Sequence, residues 1–245
     1  MLKKLPLYLV VILSFFYCKE KENISAKFIV EKSIEKHGGL KNWNSLKELS
    51  FDKKVILYNE KGIIESDVSQ HQKFIFYPKL SGKLSWKNKQ DSMFIAYENN
   101  VIRKYINDSL VTDSKELMKA RNSFFASQYV IRQPFDLLNE NVKLDYTGIV
   151  KLEDNKNAYE IKVAYKGDSK LSDVWFYYFD VEDFKIIANK VIRQDHTSLV
   201  ENITFNSSYY FTFNEKRKSY RLDSKGEKTF LRAEYYYSNY KTSYK

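Results

Sequence analysis

The chain has 245 residues, 43% of them hydrophobic, and a formal net charge of +10. That length suits one sizeable domain or two small ones, and that apolar content excludes a disordered chain. Only seven of the 41 basic residues are Arg, whereas nucleic-acid readers lean on the planar guanidinium fork, so no nucleic-acid partner is expected.

The first residues read as a leader. Lys3 and Lys4 precede an apolar run from Leu5 to Tyr17, interrupted only by Pro6 and Ser14. A transmembrane helix needs about 20 apolar residues, so this shorter run fits a secretory signal peptide. Cys18 is the only cysteine, so an exported chain cannot close an internal disulfide. A free thiol, an intermolecular bridge or a lipid attachment site remain. Cys18 falls between the apolar run and "KEKEN". That position resembles a bacterial lipoprotein signal, although Phe15 and Tyr17 stand where the pattern prefers Leu and a small residue. The reading is a signal peptide over 1–17, a tether over 18–25 and one domain over 26–245. Lipidated Cys18 would hold the protein in the cell envelope, at the outer membrane.

The elements follow in order. Ser25 is a suitable N-cap for a helix from Ala26 to about Lys36. Ala26, Ile29, Val30, Ser33, Ile34 and His37 share one of its faces, and Gly38-Gly39 stops it. A short turn, "LKNWNSLKE", presents Leu40, Trp43 and Leu46. From Leu49 the period becomes that of strands: two long ones around Gly62, then 82–88, 91–98 and 100–106. Residues 113–133 form a second helix, with Asp113 and Glu116 as a capping box and Pro134 as its stop. Its stripe is Leu117, Ala120, Phe124, Ser127, Gln128 and Ile131. Strand segments fill the remainder, among them "ENITFNSSYYFTFNEKR" taken as one stretch. The predicted fold is mainly β (α+β). A strongly curved antiparallel sheet of about ten strands forms an incomplete barrel. The N-terminal helix and the mid-chain helix cover its concave side, because a sheet this large must curl to bury its apolar face.

Four segments carry a resemblance: "IVEKSIEKHGGLKNW", "FDLLNENVKLDYTG", "YEIKVAY" and "DVWFYYFDVEDFKI". Together they resemble a family of Bacteroidetes-type lipoproteins similar to the LolA/LolB-like lipoprotein carriers. The resemblance implies a half-barrel whose concave face holds an acyl chain, a lipid or a lipidated partner protein.

No chemistry is readable. His37, His71 and His196 are scattered, no G-x-S-x-G nucleophile elbow occurs, and no thiol is available for a metal. His37 at a helix end would favour its charged form. Neither a cofactor nor an enzymatic activity is expected. The functional candidates are aromatic, since aromatics make up 16% of the chain. Trp175, Phe176 and Tyr178 sit in a strand aromatic on both faces. With Phe74, Phe76, Tyr209 and Phe211 they are the expected ligand-binding residues. The competing reading is a non-enzymatic outer-membrane interaction lipoprotein whose aromatics fill a core. Sugar stacking on exposed Tyr and Trp is a third.

Overall fold

A computed structural model describes residues 24–167, 173–207 and 210–245. The leader and Cys18 lie outside the described residues. Among the described residues, no helix is long and apolar enough to cross a membrane.

Helix α1 (Ala26–Lys36) starts where Ser25 accepts a hydrogen bond from the Phe28 N–H, and α2 (Leu40–Ser45) follows the two glycines. Then come β1 (Leu46–Tyr58), β2 (Ile64–Ile75), β3 (Ser81–Asn88), β4 (Asp91–Glu98), β5 (Val101–Ile106) and the short β6 (Ser109–Leu110). Helix α3 (Ser114–Ile131) leads through a 3-10 turn (Phe135–Leu138) to β7 (Val142–Lys151). The chain closes with β8 (Asn157–Tyr165), β9 (Val174–Asp180), β10 (Ile186–Ile192), β11 (Thr197–Asn206), β12 (Phe213–Leu222) and β13 (Lys228–Tyr244).

These strands make one 13-stranded sheet in the order β6-β5-β4-β3-β2-β1-β13-β12-β11-β10-β9-β8-β7. The antiparallel meander follows from short polar turns, and β13 returns to pair with β1. The sheet must be sharply curled, and α3 shows why. Its first turn reaches β5, where Lys104 Nζ lies 2.7 Å from Glu116. Its last turns reach β8 and β9, where the Tyr129 hydroxyl meets those of Tyr165 at 2.7 Å and Tyr177 at 2.6 Å. In a flat sheet β5 and β9 would lie about 43 Å apart, at ~4.8 Å per strand. An 18-residue helix spans only about 27 Å. The sheet therefore wraps α3, and β6 and β7 remain its two edges.

The mainly β class, the curvature and both covering helices follow the sequence expectation. The strand count is higher. The stretch read as one strand over 201–217 is two, β11 and β12. Between them Phe211 turns inward and is 2% exposed, leaving the ladder to fill the core. The capping box is half formed: Asp113 accepts from the Glu116 N–H at 2.9 Å. The Glu116 carboxylate instead takes Lys104 and Lys119, whose hydrogen bonds hold it at about pKa 2.

The end of the half-barrel under α1 and α2 is packed with rings. Trp43 stacks on Phe135 with centroids 4.3 Å apart, and Phe211 meets both edge-on. Phe51, Phe74 and Phe124 extend this cluster and are all fully buried.

Candidate ligand-binding cavity

The opposite end is not filled. A cavity of about 660 Å³ opens there, between α3 and the helix-facing side of β1–β3 and β9–β13. Small-molecule sites are typically about 300–1,000 Å³. Strand alternation chooses its lining. On β1, Leu49 and Phe51 point into the packed end, and the same face continues as Lys53, Val55 and Leu57 into the cavity. The ladder pairs Val55 with Val68 on β2 and Gln70 with Trp86 on β3. This wall is mostly apolar, and α3 faces it with Ala126 and Val130.

The adjoining strands are cationic. Arg217, Ser219 and Arg221 alternate along β12 on the cavity side, with Arg232 on β13 and Arg193 in the β10–β11 turn. Arg217 is only 7% exposed. Its guanidinium donates to Asn202 at 2.7 Å and to Asn189 at 2.9 Å. Arg221 donates to the Ser198 hydroxyl. Burial first, then the charges of Arg232 and Arg193, push the Arg221 pKa down against the opposing charge of Asp195. Lys53 lies 5.4 Å from the Tyr235 ring centroid and 5.9 Å from that of Tyr237. The Tyr237 phenol records the field. Burial alone would raise its pKa, yet Lys53 and Arg217 outweigh burial and hold it below the ordinary value.

Tyr129 and Tyr177 stand between the cavity and the core. Burial raises both phenols, and their mutual hydrogen bond keeps two buried hydroxyls satisfied.

No family model and no curated protein matches the sequence. Solved structures do match. A LolA superfamily protein from Nitrosomonas europaea aligns over 89% of this chain and 93% of its own, with a TM-score of 0.56 at 7% identity. The chain has the LolA-like fold. A Vibrio parahaemolyticus domain described as outer-membrane lipoprotein-sorting aligns with a TM-score of 0.52 at 7% identity, over 89% of this chain and 93% of that one. A DUF1329 family protein from Desulfovibrio piger gives 0.50 at 10% identity, over 89% and 92%.

Within this LolA-like frame the expected ligand-binding aromatics divide. Trp175 lines the cavity. Phe74, Phe76 and Phe211 belong to the packed end, where Phe76 tilts against Trp43 at 5.4 Å. Phe176 and Tyr178 face outward, where they pack with Ala158 and Ala188 under Lys190, 4.4 Å from the Phe176 centroid. Tyr209 lies outside the described residues. The sequence reading missed the arginines. A signal was present: in a chain with seven Arg, four line this one cavity, and Arg217 and Arg221 share a strand face by their even spacing.

The His-Gly-Gly segment serves the fold. His37 is buried; its Nδ1–H donates to the Thr212 carbonyl at 2.9 Å and its Nε2 accepts from the Ile186 N–H at 3.3 Å. This clamp joins α1 to β10 and to the approach to β12. The ring is neutral, against the expectation from its helix-end position: burial dominates and lowers its pKa to about 4. Gly38 has φ +123°, and a Cβ there would sit 2.3 Å from the Tyr210 carbonyl oxygen. His71 pairs with Asp52 at 2.7 Å and His196 with Asp195 at 2.8 Å. Among the described residues no three metal-ligating side chains converge.

Proposed function

We propose that this protein is a lipid-anchored cell-envelope component that holds a hydrophobic ligand, an acyl chain, lipid or lipidated partner, in the concave face of its half-barrel. One observation carries the reading: the curved sheet is filled with aromatic rings at one end and left open over about 660 Å³ at the other. A side-chain-filled half-barrel would have supported an interaction module without a small ligand. The LolA-like fold and the lipoprotein-sorting description of one structural neighbour agree with the reading, as does Cys18 behind its apolar run. The acylated Cys18 is the proposed anchor, and the outer membrane its proposed location.

The test is native mass spectrometry of the full chain, exported with its own leader in a bacterial host. A bound mass matching a fatty acid or phospholipid supports the reading. A clean apo mass that stays apo after incubation with lipid extract favours the interaction module instead. For the anchor, Cys18→Ala should move the protein from the membrane fraction to the soluble one; retention in membranes would defeat that part.

A further inference from the structure

The cavity is charged in a way that an apolar cargo does not require. Five cationic side chains line it, Lys53, Arg193, Arg217, Arg221 and Arg232, and among the described residues its lining holds no carboxylate. The outer two cations are paired from the rim, Arg193 with Asp173 at 3.4 Å and Arg232 with Glu65 at 2.5 Å. The other two are not: among the described residues no carboxylate forms an ion pair with buried Arg217 or half-buried Arg221, whose hydrogen-bond partners are amide and hydroxyl oxygens, although the charge of Asp195 reaches Arg221. Arginine is seldom buried without an anion, because the lost hydration has no Coulomb return. Its planar fork also matches carboxylate and phosphate oxygens in pairs. Beside these guanidinium groups, two to four strands along the same sheet, stand Val55, Leu57, Val68 and Trp86. The site is amphipathic, with a cationic stretch of the sheet adjoining an apolar one.

We infer that the occupant is an anionic amphiphile: Arg217 and Arg221, with Lys53, take a carboxylate or phosphate head while its apolar tail lies against β1–β3 and α3. This rests on the cavity being a ligand site, and it adds which ligands enter. A neutral lipid would leave Arg217 without an anion and Arg221 with only the charge of Asp195, and should bind more weakly.

The experiment uses the full chain, stripped of bound lipid, and reads the fluorescence of Trp86 and Trp175 in the cavity. Palmitate and lysophosphatidate are titrated against neutral monopalmitoylglycerol and against inorganic phosphate. Both anionic amphiphiles should bind at least tenfold tighter than the neutral one, and the tighter of the two identifies the head. Arg221→Gln should remove most of that preference, weakening both anionic amphiphiles more than monopalmitoylglycerol. Because Arg217 is buried, Arg217→Met is read only alongside this half-buried variant and an unchanged melting curve. Equal affinity for neutral and anionic amphiphiles overturns the inference and spares the carrier reading. Binding of no amphiphile overturns both. Phosphate competing as well as lysophosphatidate would make this a small-anion site and overturn the amphiphile.

Discussion

The two ends of the half-barrel are made by the same alternation, yet they have opposite contents. On β1 one face runs from Leu49 and Phe51, both fully buried, to Val55 and Leu57 at the cavity. At the first end α1, α2 and the 135–138 turn supply Trp43 and Phe135 to complete a core. At the second only one side of α3 arrives, and the strands next to the apolar wall carry Arg, Ser, Asn and Tyr. Apolar alternation therefore marks which face of a sheet is inner. What covers that face decides whether it becomes core or cavity.

The sharpest way to test this contrast is to cut into the packed end. Trp43→Ala removes a ring stacked on Phe135 and touched edge-on by Phe211. Large aromatic truncations in a core cost about 3–5 kcal/mol. Chemical denaturation should show that loss, with little change in ligand selectivity. A loss below about 1 kcal/mol would mean the packed end is loose and the contrast is false.

The next effect is acid sensitivity through His37. Its ordinary pKa is 6.5 and its folded value about 4. Above pH 6.5 both folded and unfolded states hold a neutral ring, and stability is intact. As pH falls from 6.5 towards 4 the unfolded chain takes up a proton that the folded clamp refuses, so stability falls. At ~1.36 kcal/mol per unit the loss approaches about 3 kcal/mol. Melting temperature against pH should drop in that window, and His37→Asn should flatten this part of the drop. An unchanged slope would show that the clamp is not the proton-linked element.

Much of this architecture was legible in the sequence because local rules were in charge. Ser25 and the stripe from Ala26 to Ile34 defined α1, and the turns around Gly62 and at 87–90 and 99–100 defined β1 to β5. The β11–β12 split was not legible, since Phe211 and Phe213 continue an alternating pattern that only tertiary packing interrupts. The site was less legible still. Rings are abundant, and a sequence does not say whether a ring such as Phe74 meets another ring or a void. Trp175 reached the cavity while Phe176, its neighbour, had to face the other way by the period of two. The arginines were hidden by the opposite assumption, that charge faces solvent. Local legibility has its own modest test: Asp113→Ala, which removes the α3 cap, should cost about 1 kcal/mol. A neutral result would mean α3 is held by its buried stripe alone.

The smallest stability effect expected is the most informative. Arg217 is as buried as many core residues, at 7% exposed, but it lies in the open end. Arg217→Met removes a buried charge that no carboxylate pairs, and with it the desolvation cost of holding that charge in the protein. It also takes a donor from Asn189 and Asn202, and leaving buried acceptors unmade costs about 1–3 kcal/mol. Both amides line the cavity, so water can take the place of the guanidinium and that cost falls towards zero. The two terms oppose each other, and the variant should lie within about 1 kcal/mol of the parent. A burial as deep as Tyr240's would then contribute almost nothing to folding. If instead Arg217→Met destabilised the protein as much as Trp43→Ala, the arginine would be a structural member of the fold. The two ends would then be one continuous core.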